Sequence, residues 1–251
     1  MRRFLCFAIF ALLMTVPCNA PSAQMLQAIV GAQNAVTYTY VQSCGYQSSS
    51  GSTYTVACTF GQALGAGHLL YVCASTVTQS PFTSVTFSGE TATFTPDITN
   101  VLASTTNNQY MSCWYVTSTN GGGSTITLTS TAYMGYPGIT LDEWICAPGP
   151  CSFDKSDAGN VVISGLSETQ VSNNITPSSN NELIIGSSAQ CCAASQSYVV
   201  TSGSGFTLNA TSSFPSASES QVQATKASIA AAFTSSQIPT YSSITHVAAF
   251  K

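Results

Sequence analysis

Thr125-Ile126-Thr127-Leu128-Thr129 alternates strictly between small hydroxyl side chains and large apolar ones. Successive side chains of a strand point to opposite faces, so Ile126 and Leu128 face inward while the threonines meet water. On either side, similar runs rich in Val, Ile, Thr, Tyr and Phe are punctuated by Gly, Pro, Asn and Ser, the signature of short strands joined by turns. Candidate strands are Val36 to Gln42, Thr53 to Phe60, His68 to Ser75, Thr83 to Ser88, Thr91 to Thr95, Gln109 to Thr117, Ser124 to Ser130 and Gly138 to Cys146. Beyond these come Glu182 to Ala189, Gly205 to Asn209, Ser218 to Ala224, Lys226 to Thr234 and Ser243 to Phe250. Only Met25 to Ala35 offers a short helical turn. The expected fold is all-β: a two-sheet antiparallel β-sandwich, jelly-roll-like, with about a dozen strands.

Charge is scarce. The 251 residues hold 5 Lys+Arg and 9 Asp+Glu, or 6 % charged, against roughly 25 % in an ordinary soluble domain. In their place stand 38 Ser and 32 Thr, which keep a surface wet without ionised groups. With no basic surface to neutralise phosphates, nucleic acid is excluded as a partner. Few residues are left that titrate near neutrality, which weighs against an enzyme. No nucleophile elbow, zinc-protease helix, phosphate loop or dinucleotide fingerprint occurs.

Arg2-Arg3, an apolar run from Phe4 to Val16 and the small residues Asn19 to Ala23 read as a signal peptide over residues 1–23. The apolar run is shorter than the roughly 20 residues needed to span a bilayer, and no later run is longer, so no membrane span is expected. The expected location is secreted, extracellular or at the cell surface. Residues 24–59 would supply N-terminal strands and a disulfide hairpin, and 60–251 the main sandwich, all in one domain.

Loss of the leader leaves Cys44, Cys58, Cys73, Cys113, Cys146, Cys151, Cys191 and Cys192. An even number in an oxidising compartment implies disulfides. Cys44 and Cys58 flank a Gly/Ser-rich turn, as in a stapled hairpin, and Cys146 and Cys151 bracket Ala-Pro-Gly-Pro, whose ends must come close. Cys73 and Cys113 lie within strand-like runs and either bridge or stay reduced. Cys191-Cys192 either closes a vicinal ring or pairs elsewhere.

Glu143 shares a strand face with Ile139, Leu141 and Ile145, so it enters the core with them and needs a hydrogen-bond partner there. It is the one weak candidate for a general acid; the alternative is a carboxylate tied to backbone amides. Glycoside hydrolysis would need a second carboxylate beside it, from Glu90, Asp97 or Asp142. On the opposite face, Trp144 and Asp142, with Tyr133 and Tyr136 just upstream, form a candidate sugar platform of aromatic rings beside an acid. Asp154, Asp157 and Asn160 place oxygens at intervals in a Gly-containing loop, a weak calcium candidate; no other cofactor is implied. His68 and His246 are far apart and read as satisfied core or edge residues.

A series of landmarks resembles a type of uncharacterised secreted bacterial β-sandwich domain, similar in architecture to concanavalin A-like and jelly-roll modules. They are Gly67 to Val72, Cys113-Trp114-Tyr115, Gly121 to Gly123 with Thr125 to Leu128, Ile139 to Trp144, Asp154, Asn181 to Ile185, Gly203 to Thr207 and Val247 to Phe250. The resemblance covers roughly residues 60–251 and implies the fold rather than an activity; the eight cysteines lie outside it. The expected function is a secreted, non-catalytic β-sandwich that binds carbohydrate or a surface polymer. The rivals are a self-associating structural or adhesive subunit and a polysaccharide hydrolase or lyase on the same fold.

Overall fold

The computed structural model describes residues 36–47, 53–77, 82–104, 109–162, 168–190, 199–212, 216–236 and 242–251. The expected signal peptide, the expected helical turn over Met25 to Ala35, and Cys191 and Cys192 lie outside the described residues. The first strands in chain order are β1 (Thr37–Gln47), β2 (Thr53–Thr59), β3 (Leu69–Thr76), β4 (Phe82–Phe87), β5 (Thr95–Ser104), β6 (Gln109–Val116), β7 (Thr125–Met134) and β8 (Gly138–Ala147). They are followed by β9 (Phe153–Ser156), β10 (Asn160–Val162), β11 (Thr169–Val171), β12 (Glu182–Gln190), β13 (Val200–Ser202), β14 (Thr207–Thr211), β15 (Ser216–Gln223), β16 (Ala232–Ser235) and β17 (Ser243–Phe250). The described chain is all-β and every strand pairing is antiparallel.

Four sheets result. One has five strands in the order β1-β8-β3-β6-β5; another has six, β10-β17-β12-β15-β14 with β9 also on β17; two have three, β2-β7-β4 and β11-β16-β13. Their apolar side chains sort into three cores. Val56, Ile126 and Leu128 of one outer sheet meet Leu70, Val72 and Leu141 of the five-stranded sheet. On its other face the five-stranded sheet sets Leu69, Tyr71, Cys113 and Trp144 against Leu183, Ile185, Ala248 and Phe250 of the six-stranded sheet. Beyond that, Ile184, Val247 and Ala249 meet Val200 and Phe233 of the second outer sheet. In place of the two jelly-roll-like sheets and about a dozen strands expected, the described residues form four sheets from 17 strands; the two large sheets share one core, and each shares another with a three-stranded sheet.

This arrangement explains two sequence textures. Strands β3, β12 and β17 are buried along their whole length, and β8 nearly so; parts of them, Leu69 to Ala74 and Val247 to Phe250, read as continuous apolar runs because both faces are covered. The outer β7 has one wet face, so it alternates. Each fully buried Leu, Ile or Phe stabilises the fold by roughly 1.5–3 kcal/mol, and the doubly covered strands concentrate that burial.

Three disulfides are formed among the described residues. Cys73 and Cys113 are direct cross-strand partners on β3 and β6, and Cys146–Cys151 closes the loop through Pro148 and Pro150. Cys44–Cys58 does not staple a hairpin. β1 pairs with β8 and β2 with β7, so this bond ties two stacked sheets together across their shared core.

Two expected strands are also corrected. Thr91 to Phe94 is not strand, because the Glu90 carboxylate takes the Thr91 and Ala92 N–H groups that a ladder would use. Lys226 to Thr234 narrows to β16, preceded by one isolated bridge from Ile229 to Ile175. The three-residue strands β10, β11 and β13 are too short to leave an alternation in the sequence.

A Cβ added to Gly186 on β12 would stand 2.4 Å from the Ala231 Cβ, where the six-stranded sheet meets its outer neighbour. Gly186→Ala is expected to lower unfolding free energy in a denaturant titration by about 1–3 kcal/mol, the usual cost of overpacking. Unchanged stability would contradict the close seating of that outer sheet.

Candidate functional site

Of the nine acidic residues only Glu168 is exposed. The others hold loops and strands in place. Glu143 is fully buried; it accepts the Gly65 N–H at 2.9 Å, the His68 ring at 2.6 Å and the Gln42 amide at 2.6 Å. Gly65 is required here, since a Cβ would lie 2.1 Å from the imidazole. The Glu219 carboxylate accepts the Gly203 and Ala232 N–H groups, and Glu90 accepts those of Thr91, Ala92 and Asn120.

His246 is buried between Asp97, at 2.8 Å, and Asp157. Tyr71 donates to Asp97 at 2.8 Å and so does Ser156 at 2.5 Å, while Asp157 also accepts the Asn173 and Val247 N–H groups. Ser156 bonds the carboxylate and not the imidazole, so no nucleophile–base pair forms. Burial alone would lower the His246 pKa, but hydrogen bonds and charge from Asp157 and Asp97 outweigh it and raise it to about 9.

Asp142 and Glu143 are neighbours on β8 and therefore face opposite sides of the sheet, which keeps them from acting as a hydrolytic pair. Asp154 bonds Ser178 and Lys251, whereas Asp157 turns to His246. These two calcium candidates are committed to separate partners, and the Asn160 side chain lies outside the described residues. Among the described residues no group of three or more His, Cys, Asp or Glu is placed to hold a metal.

The proposed platform residues divide. Tyr133 and Tyr136 are exposed, at the end of β8 remote from Trp144. Trp144 and Asp142 are 6 % and 1 % exposed, so they form no open platform. The reason is that their shared face looks onto the six-stranded sheet.

Trp144 nevertheless lines an opening. β1 and β14 are edge strands of the two central sheets, and each carries one extra residue: Val41 between Tyr40 and Gln42, and Asn209 between Leu208 and Ala210. Such bulges bend an edge and re-aim its side chains. Between them lies a cavity of about 290 Å³ lined by Tyr40, Trp144, Thr207, Leu208, Asn209, Ser220, Gln221 and Val222. The Tyr40 and Trp144 rings meet edge to face at 5.3 Å.

Hydrogen bonds fix the frame. Tyr40 Oη donates to Ser43 Oγ at 2.6 Å, and Ser43 Oγ donates to the Asn209 carbonyl at 2.6 Å. Ser220 Oγ donates to Asn209 Oδ1 at 3.0 Å. Beneath them Asp142 accepts from Ser218 Oγ at 3.1 Å. Burial raises the Asp142 pKa to about 7, with the Ser218 bond and the neighbouring Asn209 amide offsetting only part of the effect. The cavity wall thus presents aromatic, amide and hydroxyl groups and no ionised one. A second cavity of about 320 Å³ between Phe82, Phe94 and Trp114 has no amide side chain in its lining.

Tyr40, Asn209 and Gln221 carry no signal in the sequence, because the bulges that bring them together break the strand alternation. Compared with known protein families, with curated proteins and with solved structures, the chain finds no match.

The buried groups set the pH dependence. Asp142 and Glu219 rise by burial from about 3.8 and 4.5 to about 7, and His246 rises from 6.5 to about 9. All three bind protons more tightly when folded, so the stability they contribute is lost as pH rises from about 4 to 9. Asp154 works in the opposite sense. Burial would raise it, yet Ser178 and Lys251 hold it near 2, so its contribution is lost as pH falls below about 3.8. The melting temperature is expected to peak near pH 4–5 and to fall steadily to pH 9; a maximum at pH 8 or above would contradict these assignments.

Proposed function

We propose that this protein is an exported, non-catalytic binding module for a neutral polysaccharide, held in the cavity between the bulged edge strands β1 and β14. The observation that carries this reading is the cavity lining: Tyr40 and Trp144 beside Asn209, Ser220, Gln221 and Thr207. Aromatic rings cover the apolar faces of sugars, and fixed amides and hydroxyls take up sugar hydroxyls. A neutral ligand suits a wall with no ionised group. Two edge strands irregular at the same place support a functional origin, since bulges gather at binding sites.

Catalysis has no comparable support. The acids are committed to hydrogen bonds within the fold, and Asp142 and Glu143 look away from each other. Three disulfides are consistent with export to an oxidising compartment.

Tyr40 is exposed and Gln221 half-buried, so both can be changed without opening a core. Affinity electrophoresis through soluble neutral glucans and mannans is expected to show retardation of the wild type. Tyr40→Ala and Gln221→Ala should each weaken binding about tenfold, a loss near 1.4 kcal/mol, with unchanged melting temperature. Absence of retardation by any neutral polysaccharide, or wild-type behaviour of both variants, would overturn the proposal.

A further inference from the structure

Every exposed aromatic ring among the described residues is a tyrosine. Apart from Tyr40, they gather at one end of the molecule. Tyr46 ends β1, whose last residues pair with the start of β8 (Tyr46 with Ile139, Gln47 with Gly138). Tyr54 opens β2, where Thr53 pairs with Met134 at the end of β7. Tyr133 and Tyr136 lie on either side of Met134-Gly135, in the passage from β7 to β8. Tyr54 and Tyr133 have their ring centroids 4.4 Å apart.

Three features separate this cluster from an ordinary tyrosine-bearing surface. Its four rings are 45–54 % exposed and lie at or next to the ends of β1, β2, β7 and β8 that meet there. Tyr136 sits at φ +46°, a left-handed conformation that a bulky residue adopts only when the surroundings impose it, and such outliers gather at ligand clamps. Finally, residues 4–89 and 98–141 contain no Asp, Glu, Lys or Arg, so the segments that build the cluster carry no charge. A tyrosine offers an apolar face and a polar tip, which matches a hydroxylated and uncharged ligand better than a charged or purely apolar one.

We infer that Tyr46, Tyr54, Tyr133 and Tyr136 form a second contact surface for the neutral polysaccharide, engaged by chains long enough to reach it from the Tyr40–Trp144 cavity. The inference rests on the cavity reading for the identity of the ligand. Both sites lie along the edge strand β1 but on opposite faces of it, because the bulge at Val41 leaves Tyr40 beside Trp144 and Tyr46 beside Ile139; the two residues are about 20 Å apart at the rise of a strand. One extended chain that passes over the open edge of β1 touches both, which raises affinity by effective concentration rather than by new contacts in the cavity.

Titration calorimetry with cello-, laminari- and manno-oligosaccharides, from disaccharide to octasaccharide, tests this. Wild-type affinity should rise with chain length for the series it binds. Tyr133→Ala and Tyr136→Gly should each weaken octasaccharide binding about fivefold or more and leave disaccharide binding unchanged. Tyr136→Gly relieves the left-handed backbone, so its melting temperature should be equal or higher, and a loss of binding there cannot come from unfolding. If both variants bind every length as the wild type does while Tyr40→Ala still weakens binding, the second surface is refuted and the cavity stands. If no oligosaccharide of any length binds, both readings fall together.

Discussion

Two sheets in this molecule are covered on both faces, and most other features follow from that constraint. A strand such as β12 or β17 has no solvent side on which to place polar groups, so its carboxylates and imidazole take partners inside the protein, while the small hydroxyls of Ser187, Ser188 and Thr245 are buried without one. Glu182 meets the Ser179 N–H, His246 is held between two aspartates, and Asp142 meets Ser218. The same constraint demands glycine where layers touch, as at Gly186. With the broad faces of both central sheets consumed by packing, only their edges and ends remain open to a ligand. The cavity between β1 and β14 is such an edge, and the tyrosine cluster is such an end.

The small number of charges acquires its meaning from this frame. Acidic side chains here are chiefly interior acceptors that tie loop N–H groups to strands, and only Glu168 stands exposed. Buried carboxylates without a cation beside them, such as Asp142 and Glu219, hold their protons into the neutral range. Solubility falls to hydroxyl groups. On the outer sheets they line up across strands, as Thr55, Thr129 and Ser84 do on one side and Thr169, Thr234 and Thr201 on the other. A surface of this kind has little to offer a charged partner, which agrees with a neutral ligand.

Much of the fold was legible in the sequence. Ile126 and Leu128 face the core as their alternation predicts, and the runs at Leu69 and Val247 are strands. How many layers cover them was not legible, because a continuous apolar run reports burial without saying which sheets do the burying. The Cys44–Cys58 pairing followed from the turn between them, whereas its crossing between sheets depended on strand partners remote in sequence. Sequence parity placed Glu143 among apolar neighbours and Trp144 on the same face as Asp142. That face proved to be an interface, so an expected platform became the wall of a cavity. Tyr40, Asn209 and Gln221 escaped notice because bulges follow from packing at an edge, and single-strand periodicity does not encode them.

The central claim is that β3, β8, β12 and β17 are interior strands of a four-layer stack. Residue-resolved amide hydrogen exchange tests it most directly, since an amide covered on both sides opens only with the whole domain. The account predicts that exchange in these four strands shares a single free energy equal to that of global unfolding, while β2, β4, β11 and β13 exchange through smaller, local openings. If β12 and β17 exchanged as readily as β11 and β13, the stacked arrangement would be contradicted.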